Sequence, residues 1–362
     1  MFPSLALWVR LLLAVAVAFA ISFLMTPPVK RFAEAVGAID IPKDERRVHK
    51  IPIPRMGGLA IYLGWVLTTL LFCEMNMQMA GLLLGSVIIV VMGAIDDIVS
   101  LSPWVKLGGQ IAAALVAIRF GVVFDTISNF NPLSDNNFIQ VGWLSVPLTV
   151  FWIIACTNAV NLIDGLDGLA VGVSTISSVT MLVVALFVSE PGVTVILAAL
   201  TGACIGFMPY NLNPAKIFMG DVGSQLLGFV LSCVSIMGLF KFHAIITFLV
   251  PFMALALPLA DTTFAFFRRI LHGQSPFHAD KGHFHHRLLA MGMNQKQVVA
   301  LLYAVSAVLG LIAVLLAGQS ELVRILCLAA AFIIAVSVWF FIFRQHRHSP
   351  QDEPKNDQQG RH

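Results

Sequence analysis

The sequence predicts an all-α, polytopic membrane protein with about eleven transmembrane helices, its N-terminus outside and its C-terminus in the cytoplasm. Of the 362 residues, 58% are hydrophobic and only 11% are charged, whereas a soluble globular domain carries about 25% charged residues. The mean hydropathy of +0.89 agrees with this imbalance. So few charges cannot cover a water-facing surface, and the apolar residues must therefore face lipid. The formal net charge of +3 gives no electrostatic reason to expect a nucleic-acid partner.

Eleven stretches approach the roughly 20 mostly apolar residues that a membrane-spanning helix needs. In chain order they cover residues 5–25, 57–73, 79–96, 104–123, 143–162, 168–188, 191–209, 223–240, 244–264, 298–317 and 322–343. The first stretch contains Ala-Phe-Ala at 18–20, as a signal-peptidase site would. Its basic residues, Lys30 and Arg31, follow the apolar run instead of preceding it. We therefore interpret this stretch as an uncleaved anchor.

The distribution of Lys and Arg tests this topology, because cytoplasmic loops carry an excess of both residues. Residues 26–56, between the first two stretches, contain seven of them, and residues 265–297, after the ninth stretch, contain five. With an outside N-terminus both segments lie on the cytoplasmic side. Residues 344–362, which follow the last stretch, have almost no apolar content, and we expect them to form a disordered cytoplasmic tail.

Two adjacent carboxylates, Asp96 and Asp97, close the third stretch. Adjacent carboxylates repel each other unless a cation or a proton relieves them. Oxygen ligands suit Mg²⁺ or Mn²⁺, and Mg²⁺ typically takes one or two carboxylates while it bridges substrate phosphates. The pair therefore indicates diphosphate chemistry. The structural alternative is that Asp97 caps or solvates the loop into the next stretch.

The segment NAVNLIDGLDG, residues 158–168, collects polar side chains at the junction of the fifth and sixth stretches. The spacing places Asn158 and Asn161 on neighbouring turns of one helix face, and the glycines permit a sharp bend. A helix end followed by an Asp167 N-cap is the structural alternative. That alternative explains neither the two amides nor Asp164.

Asp221 lies in the segment FMGDVGS, before the eighth stretch. Taken alone, with Ser224 three residues on, Asp221 is typical of the N-cap of an ordinary helix. The topology, however, rests on Lys and Arg only, and it places this carboxylate on the same face as the other acidic segments. Ionisable residues at membrane depth are costly and usually functional. The sequence therefore predicts one active site assembled from several loops on the cytoplasmic face.

Three histidines, His283, His285 and His286, follow the ninth stretch in HADKGHFHHR. His283 and His286 have the i, i+3 spacing that would let two zinc ligands share one helix face. Zinc, however, usually takes Cys or further His ligands. This cluster is instead accompanied by Arg268 and Arg269. A cationic loop rich in donors fits an anionic ligand such as a nucleotide diphosphate. A basic patch on anionic lipid is the remaining alternative.

Together these motifs resemble the polyprenyl-phosphate N-acetylhexosamine-1-phosphate transferases of glycosyltransferase family 4. The resemblance rests on Asp96-Asp97, on segments 158–168 and 218–224 and on residues 283–286, and it extends to about residue 340. The loop SPFHADKGHFHHRLLAMG looks most like the bacterial branch that transfers N-acetylglucosamine-1-phosphate from UDP-N-acetylglucosamine to undecaprenyl phosphate, which initiates teichoic acid and O-antigen synthesis. The peptidoglycan enzyme, which uses UDP-N-acetylmuramoyl-pentapeptide, is the alternative. Three contiguous histidines are expected there, and Phe284 interrupts the run here.

The resemblance also implies the roles of the site residues. The implied metal ligands are Asp221 and Asp97, which would bind Mg²⁺ or, alternatively, Mn²⁺. The implied catalytic residues are Asp96, Asp97, Asp164 and Asp167. The implied substrate-binding residues are Asn158, Asn161, Arg268, Arg269, His283, His285 and His286.

The implied partners are UDP-N-acetylglucosamine, undecaprenyl phosphate and membrane lipid, with no nucleic acid; a homodimer is compatible with the sequence. Residues 1–343 would form a single transmembrane catalytic domain in the bacterial cytoplasmic membrane.

A desolvated, aligned lipid phosphate is already a competent nucleophile. Direct attack by this phosphate is therefore favoured over a phospho-enzyme intermediate, although both mechanisms stay open. A cation transporter is the competing class. A cation transporter would carry acidic residues near the middle of its spans, whereas the acidic residues of this sequence lie at the cytoplasmic ends of the spans.

Overall fold

The computed structural model describes residues 5–42, 51–128, 138–187, 191–239, 251–271, 284–317, 325–331, 333 and 334. These residues are almost entirely helical. The helices are α1 (Leu7–Ala35), α2 (Gly58–Phe72), α3 (Met77–Val99), α4 (Pro103–Arg119), α5 (Ser145–Leu162), α6 (Leu169–Phe187), α7 (Pro191–Asn211), α8 (Gly220–Val234), α9 (Ala256–Leu271), α10 (Phe284–Ala290) and α11 (Gln295–Ala317). A short 3₁₀ segment, Gly142–Leu144, precedes α5, and a π-helical turn, Ser235–Leu239, continues α8.

Two small antiparallel ribbons complete the described secondary structure. Strand β1 (Ile39–Asp40) pairs with β2 (Ile53–Pro54), and β3 (Thr126–Ser128) pairs with β4 (Phe138–Gln140). The register places Asp40 opposite Ile53 and Thr126 opposite Gln140. The first ribbon matters for function, because β2 leads directly into α2 beside the start of α8.

Seven of the described helical segments are long and apolar enough to cross a membrane: Leu7–Ala35, Met77–Val99, Gly142–Leu162, Leu169–Phe187, Pro191–Asn211, Gly220–Gly238 and Gln295–Ala317. The protein is therefore a multi-pass membrane protein with an all-α architecture. Nine of the eleven predicted stretches each coincide with a helix, counting the shorter α2 and α4. The stretches at 244–264 and 322–343, like the tail at 344–362, lie partly or wholly outside the described residues, so the count of eleven stays a prediction.

Helix α1 is longer than its predicted apolar stretch, because it continues past residue 25 to Ala35. Pro27 and Pro28 lie inside it. The added turns carry three charged residues, Lys30, Arg31 and Glu34, and Lys30 Nζ lies 3.9 Å from Glu34 Oε1 one turn later. An ion pair at this spacing supports a helix that has left the apolar region.

Helix α8 forms the centre of the packing and is buried along almost its whole length. Its neighbours approach closely at glycines: a Cβ added to Gly58 of α2 or Gly93 of α3 would collide with the backbone of α8, and one added to Gly228 of α8 would collide with α5. Small residues at such crossings are typical of packed membrane helices. One apolar core extends from Leu11 in α1 to Val314 in α11. The start of α8 is thus held between α2, α3 and α5.

The turn between α3 and α4 is specified locally by two caps. Ser100 ends α3 in the left-handed region with φ of 51°. Ser102 then caps α4, accepting a hydrogen bond from the Val105 N–H at 3.4 Å, and Pro103 occupies the first helical position. This tight reversal brings the acidic end of α3 next to the first turn of α4.

Candidate active site

The acidic segments of α3, the α5–α6 loop and α8 meet at one cavity of about 380 Å³. The predicted site residues that line it are Asp97, Asn161, Asp164, Asp167, Asp221 and His286. Other lining residues include Asp40, Arg55, Asn211 and Gln295. Residues separated by more than 250 positions in sequence, from Asp40 to Gln295, therefore converge on one site.

Asp97 fixes the N-terminal end of α8 from the neighbouring helix. Its Oδ1 accepts the backbone N–H of Asp221 at 3.0 Å, and its Oδ2 accepts that of Val222 at 3.3 Å. These N–H groups have no partner within their own helix, and a carboxylate is favoured at this end of the helix dipole. Gly220 has φ of +72°, and a Cβ there would collide with the Asp97 carboxylate. Only glycine permits this approach.

The backbone that leads into α2 holds the same corner from the other side. The Phe218 N–H donates to the Pro54 carbonyl at 2.8 Å, and the Gly57 N–H donates to the Phe218 carbonyl at 2.9 Å. Between them, Arg55 Nε donates to the backbone carbonyl of Asp97 at 3.0 Å and lies 3.7 Å from its Oδ1. Arg55 thus places a cation on the cavity beside a buried carboxylate. Sequence reasoning used Arg55 only as a topology marker.

Lys106 of α4 bridges two carboxylates. Its Nζ lies 2.6 Å from Asp96 Oδ2 and 2.7 Å from Asp221 Oδ2. Asp96 is 5% exposed, and its Oδ1 accepts the Leu101 N–H at 2.6 Å. Asp96 therefore lies behind Lys106 and is not among the cavity-lining residues, whereas Asp97 is. Sequence reasoning missed this role of Lys106. Its position inside the apolar stretch 104–123 could have indicated an ion pair, because a charge at such a position needs a partner of opposite charge.

Asp221 collects three side-chain donors. Besides Lys106, Gln225 Nε2 donates to Oδ2 at 2.9 Å, and Asn161 Nδ2 donates to Oδ1 at 3.2 Å. Asn161 also donates to Ser224 Oγ at 2.8 Å. Because ammonium and amide donors favour a charged acceptor, they hold Asp221 as a carboxylate. Asp221 lies within the first turn of α8, with Met219 at the N-cap.

Asp164 lies in the loop between α5 and α6, half-buried at the cavity. Burial, together with the negative charges of Asp221, Asp97 and Asp167, raises the pKa of Asp164 to about 8. Near neutral pH this carboxyl group therefore holds a proton unless a cation enters the site. The site carries more acidic groups than its own cations neutralise.

Asp167 ties the same loop to the segment before α8. Its Oδ2 accepts Asn213 Nδ2 at 2.9 Å and the Ala215 N–H at 3.1 Å. Asn213 also donates to Gln295 Oε1 at the start of α11, at 2.8 Å. Asp167 therefore lines the cavity and also accepts hydrogen bonds from the segment 213–215. The sequence had suggested only an N-cap at this position.

The structure separates the predicted histidines. His286 lines the main cavity, whereas His285 is 3% exposed and lies against Gly165, where a Cβ would come 2.5 Å from its Nε2. His283 lies outside the described residues. Arg268 and Arg269 belong to α9, and their side chains also lie outside what is described. Asn158 is one turn from Asn161 and is not among the cavity-lining residues.

The oxygen donors at the cavity fit a small divalent cation. Within the described part of the chain, no three His, Cys, Asp or Glu side chains are close enough to cage a metal by themselves. Mg²⁺ does not need such a cage, because it usually keeps several waters and binds through one or two carboxylates and substrate phosphates. Burial and, after it, the charges of Asp221, Asp97 and Asp167 raise the pKa of Asp164, and a cation would relieve the repulsion among these carboxylates. Asp221 and Asp97 offer carboxylate oxygens of the kind that Mg²⁺ and Mn²⁺ take as ligands.

Comparison with known proteins identifies the family. A model of glycosyl transferase family 4 matches residues 79–239, which run from α3 to the π-helical turn after α8. A Bacillus subtilis protein named "Probable undecaprenyl-phosphate N-acetylglucosaminyl 1-phosphate transferase" is 39% identical over 311 residues, or 85% of each chain. The chain belongs to glycosyl transferase family 4. The predicted family and the predicted phosphotransferase class are therefore confirmed.

Two further relatives of this family-4 transferase extend the similarity. The decaprenyl-phosphate N-acetylglucosaminephosphotransferase of Mycobacterium tuberculosis is 35% identical over 312 residues, covering 78% of this chain and 76% of the relative. The undecaprenyl-phosphate alpha-N-acetylglucosaminyl 1-phosphate transferase of Escherichia coli K12 is 29% identical over 322 residues, covering 87% and 84%. All three names specify a polyprenyl phosphate and an N-acetylglucosamine phosphate unit.

Proposed function

We propose that the protein transfers N-acetylglucosamine-1-phosphate from UDP-N-acetylglucosamine to undecaprenyl phosphate. An oxygen of the lipid phosphate attacks the β-phosphorus of the donor, the bond to UMP breaks, and a lipid-linked diphosphate sugar forms. The observation that carries this proposal is the single cavity where Asp97, Asp164 and Asp221 meet Arg55 at the buried start of α8. The names of the relatives support the acceptor and the transferred group. The product would initiate a cell-envelope polysaccharide of the teichoic acid or O-antigen type.

We further propose that this site faces the cytoplasm, in the cytoplasmic membrane of a bacterium. The Lys and Arg bias supports eleven spans, an outside N-terminus and a cytoplasmic C-terminus. UDP-sugars are cytoplasmic, so the donor would reach this face directly. A homodimer is compatible with the proposal.

In this mechanism the protein aligns and neutralises two anionic substrates, since the lipid phosphate is itself the nucleophile. Arg55 at the cavity and Lys106 behind it supply positive charge beside the reacting phosphates. Asp96 holds Lys106 in place, and Asp97 holds the first turn of α8. Asp221 and Asp97 would hold Mg²⁺, which when bound would neutralise the donor diphosphate and stabilise UMP as a leaving group. Direct attack requires no covalent carboxylate intermediate.

The donor is tested with purified protein, undecaprenyl phosphate, Mg²⁺ and a panel of UDP-sugars. UDP-N-acetylglucosamine should give lipid-linked product and UMP much faster than UDP-N-acetylmuramoyl-pentapeptide. His286→Ala should lower turnover or donor affinity about 10- to 150-fold, the range for losing one charge-assisted hydrogen bond. Met291→Ala is the control, because Met291 is exposed just beyond α10. A preference for the pentapeptide donor would identify the peptidoglycan enzyme instead.

Cation binding should depend on pH through Asp164. In the cation-free protein its carboxyl group is protonated below a pKa of about 8, and an entering cation must displace that proton. The affinity for Mn²⁺ should therefore rise with pH, by up to about tenfold per unit, and level off above pH 8. Asp164→Asn should flatten this slope. The measurement is Mn²⁺ titration by electron paramagnetic resonance from pH 6 to 9, and an unchanged slope in the variant would exclude Asp164 as the displaced group.

A further inference from the structure

Three amide side chains behind the cavity connect Asp221 to a backbone carbonyl group of α5. Gln110 of α4 is 2% exposed, Gln225 of α8 is fully buried, and Asn158 of α5 is half-buried. Each comes from a different helix, and none of the three is among the cavity-lining residues. Buried amides are costly unless their donors and acceptors are paired. We call these three residues the amide relay.

The hydrogen bonds determine the direction of each amide, beginning at the α5 end. The carbonyl oxygen of Ile154 can only accept, and Asn158 Nδ2 donates to it at 2.9 Å. The same nitrogen donates to Gln110 Oε1 at 2.7 Å. Because Gln110 Oε1 accepts this bond, Gln110 Nε2 is the atom that donates to its other partners. That nitrogen donates to Gln225 Oε1 at 3.2 Å, with a longer contact of 3.3 Å to Asn158 Oδ1.

At the other end the relay reaches the carboxylate. Because Gln225 Oε1 accepts from Gln110, its Nε2 is directed at Asp221, where it donates to Oδ2 at 2.9 Å. An ionised carboxylate can only accept. The relay therefore begins and ends on acceptors, and each amide between them has one orientation that satisfies both neighbours. With Lys106 on the same oxygen, Asp221 Oδ2 has two donors, whereas Oδ1 has one longer bond from Asn161.

We propose that Gln225, Gln110 and Asn158 are positioning residues that orient the Asp221 carboxylate for a divalent cation. Groups that hydrogen-bond to a metal ligand orient it and tune its basicity. Gln110 and Asn158 act only through Gln225, because neither is bonded to Asp221 in the structure. The use of that cation in phosphate transfer rests on the proposed function, whereas the relay itself rests on the hydrogen-bond geometry.

The test measures Mn²⁺ binding to the full-length, detergent-purified protein by electron paramagnetic resonance, without substrate. Gln225→Met keeps the volume and removes the donor, and it should weaken Mn²⁺ binding about 10- to 100-fold, the usual loss for such an outer partner. Gln110→Met should give a smaller loss. The control is Thr157→Val, a buried neighbour of Asn158 whose hydroxyl donates to the Ile153 carbonyl within α5. Its Mn²⁺ affinity should match that of the wild type, and melting temperatures should be similar for all variants.

A double variant separates a relay from general packing. If Gln110 acts through Gln225, then Gln110→Met/Gln225→Met should bind Mn²⁺ no more weakly than Gln225→Met alone. Losses that multiply in the double variant would overturn the proposal. Equal Mn²⁺ affinity in wild type, Gln225→Met and Thr157→Val would also overturn it, whatever the activity. If Gln225→Met does not fold, Gln110→Met is judged against the same control. A protein that loses Mn²⁺ affinity as expected but makes no lipid-linked product would support the relay and overturn the proposed function.

Discussion

Replacing Asp221 with Asn is expected to lower turnover by about 10²- to 10³-fold or more, the loss seen when one preorganised electrostatic group is removed. The substitution keeps the shape of the side chain and removes its charge. Asp221 stands at the start of α8, where Lys106, Gln225 and Asn161 all donate to it. A neutral amide there would lose the attraction to a cation and would turn a donor toward existing donors. Turnover is measured as UMP release with saturating donor and lipid.

The matched control for this substitution is Asp125→Asn, because Asp125 is exposed and lies beyond the C-terminal end of α4, whereas Lys106, which contacts Asp221, lies at the N-terminal end of that helix. It should retain wild-type turnover. Chelation of divalent ions should reproduce the Asp221→Asn defect in the wild type, and added Mg²⁺ or Mn²⁺ should restore activity. Full wild-type activity in chelator would contradict the assignment of Asp221 as a metal ligand.

Replacing Lys106 with Met should lower turnover by at least about 100-fold. The same substitution should leave the affinity for a divalent cation unchanged or raise it. Lys106 Nζ lies within 2.7 Å of carboxylates on both α3 and α8. Without it, two mostly buried carboxylates lose their shared cation and repel each other. The site then carries one more net negative charge, so a divalent ion should bind at least as tightly as before. Turnover should still fall, because the site loses a positive charge that would help to neutralise the two anionic substrates from behind the cavity.

The Lys106→Met prediction is checked by paired measurements of UMP release and Mn²⁺ affinity on the same preparations. Lys216→Met serves as the control, because Lys216 is exposed in the segment between α7 and α8. A melting temperature close to that of the wild type is required, since loss of a buried ion-pair partner also threatens folding. Parallel loss of Mn²⁺ affinity and turnover would show that Lys106 maintains the fold of the site instead.

The membrane class and the acidic segments could be predicted because their signals are local. Apolar stretches need only composition, and the Lys and Arg bias needs only their order in the chain. That bias placed Asp97, Asp164 and Asp221 on one face, and the structure brings these three to one cavity. The family could be inferred because its motifs are short and contiguous.

The cations of the site could not be assigned, because their contacts join residues far apart in sequence. Lys106 and Asp221 are separated by 115 positions, and Arg55 and Asp97 by 42. The Lys and Arg bias places Arg55, in the basic segment 26–56, on the cytoplasmic side, but it cannot pair Arg55 or Lys106 with particular carboxylates. The amide relay was hidden for the same reason, since it joins α4, α5 and α8. Adjacent residues were equally hard to separate: His285 is buried against Gly165, while His286 lines the cavity.

The central claim is that the protein moves a phosphosugar and breaks the diphosphate bond of the donor. The most direct measurement uses UDP-N-acetylglucosamine labelled at the β-phosphorus, with purified protein, undecaprenyl phosphate and Mg²⁺. The label should appear in the lipid product, in equal amount to the UMP released. Label leaving as UDP, with an unlabelled glycolipid, would contradict it, because the bond broken would then be the one between the sugar and its phosphate.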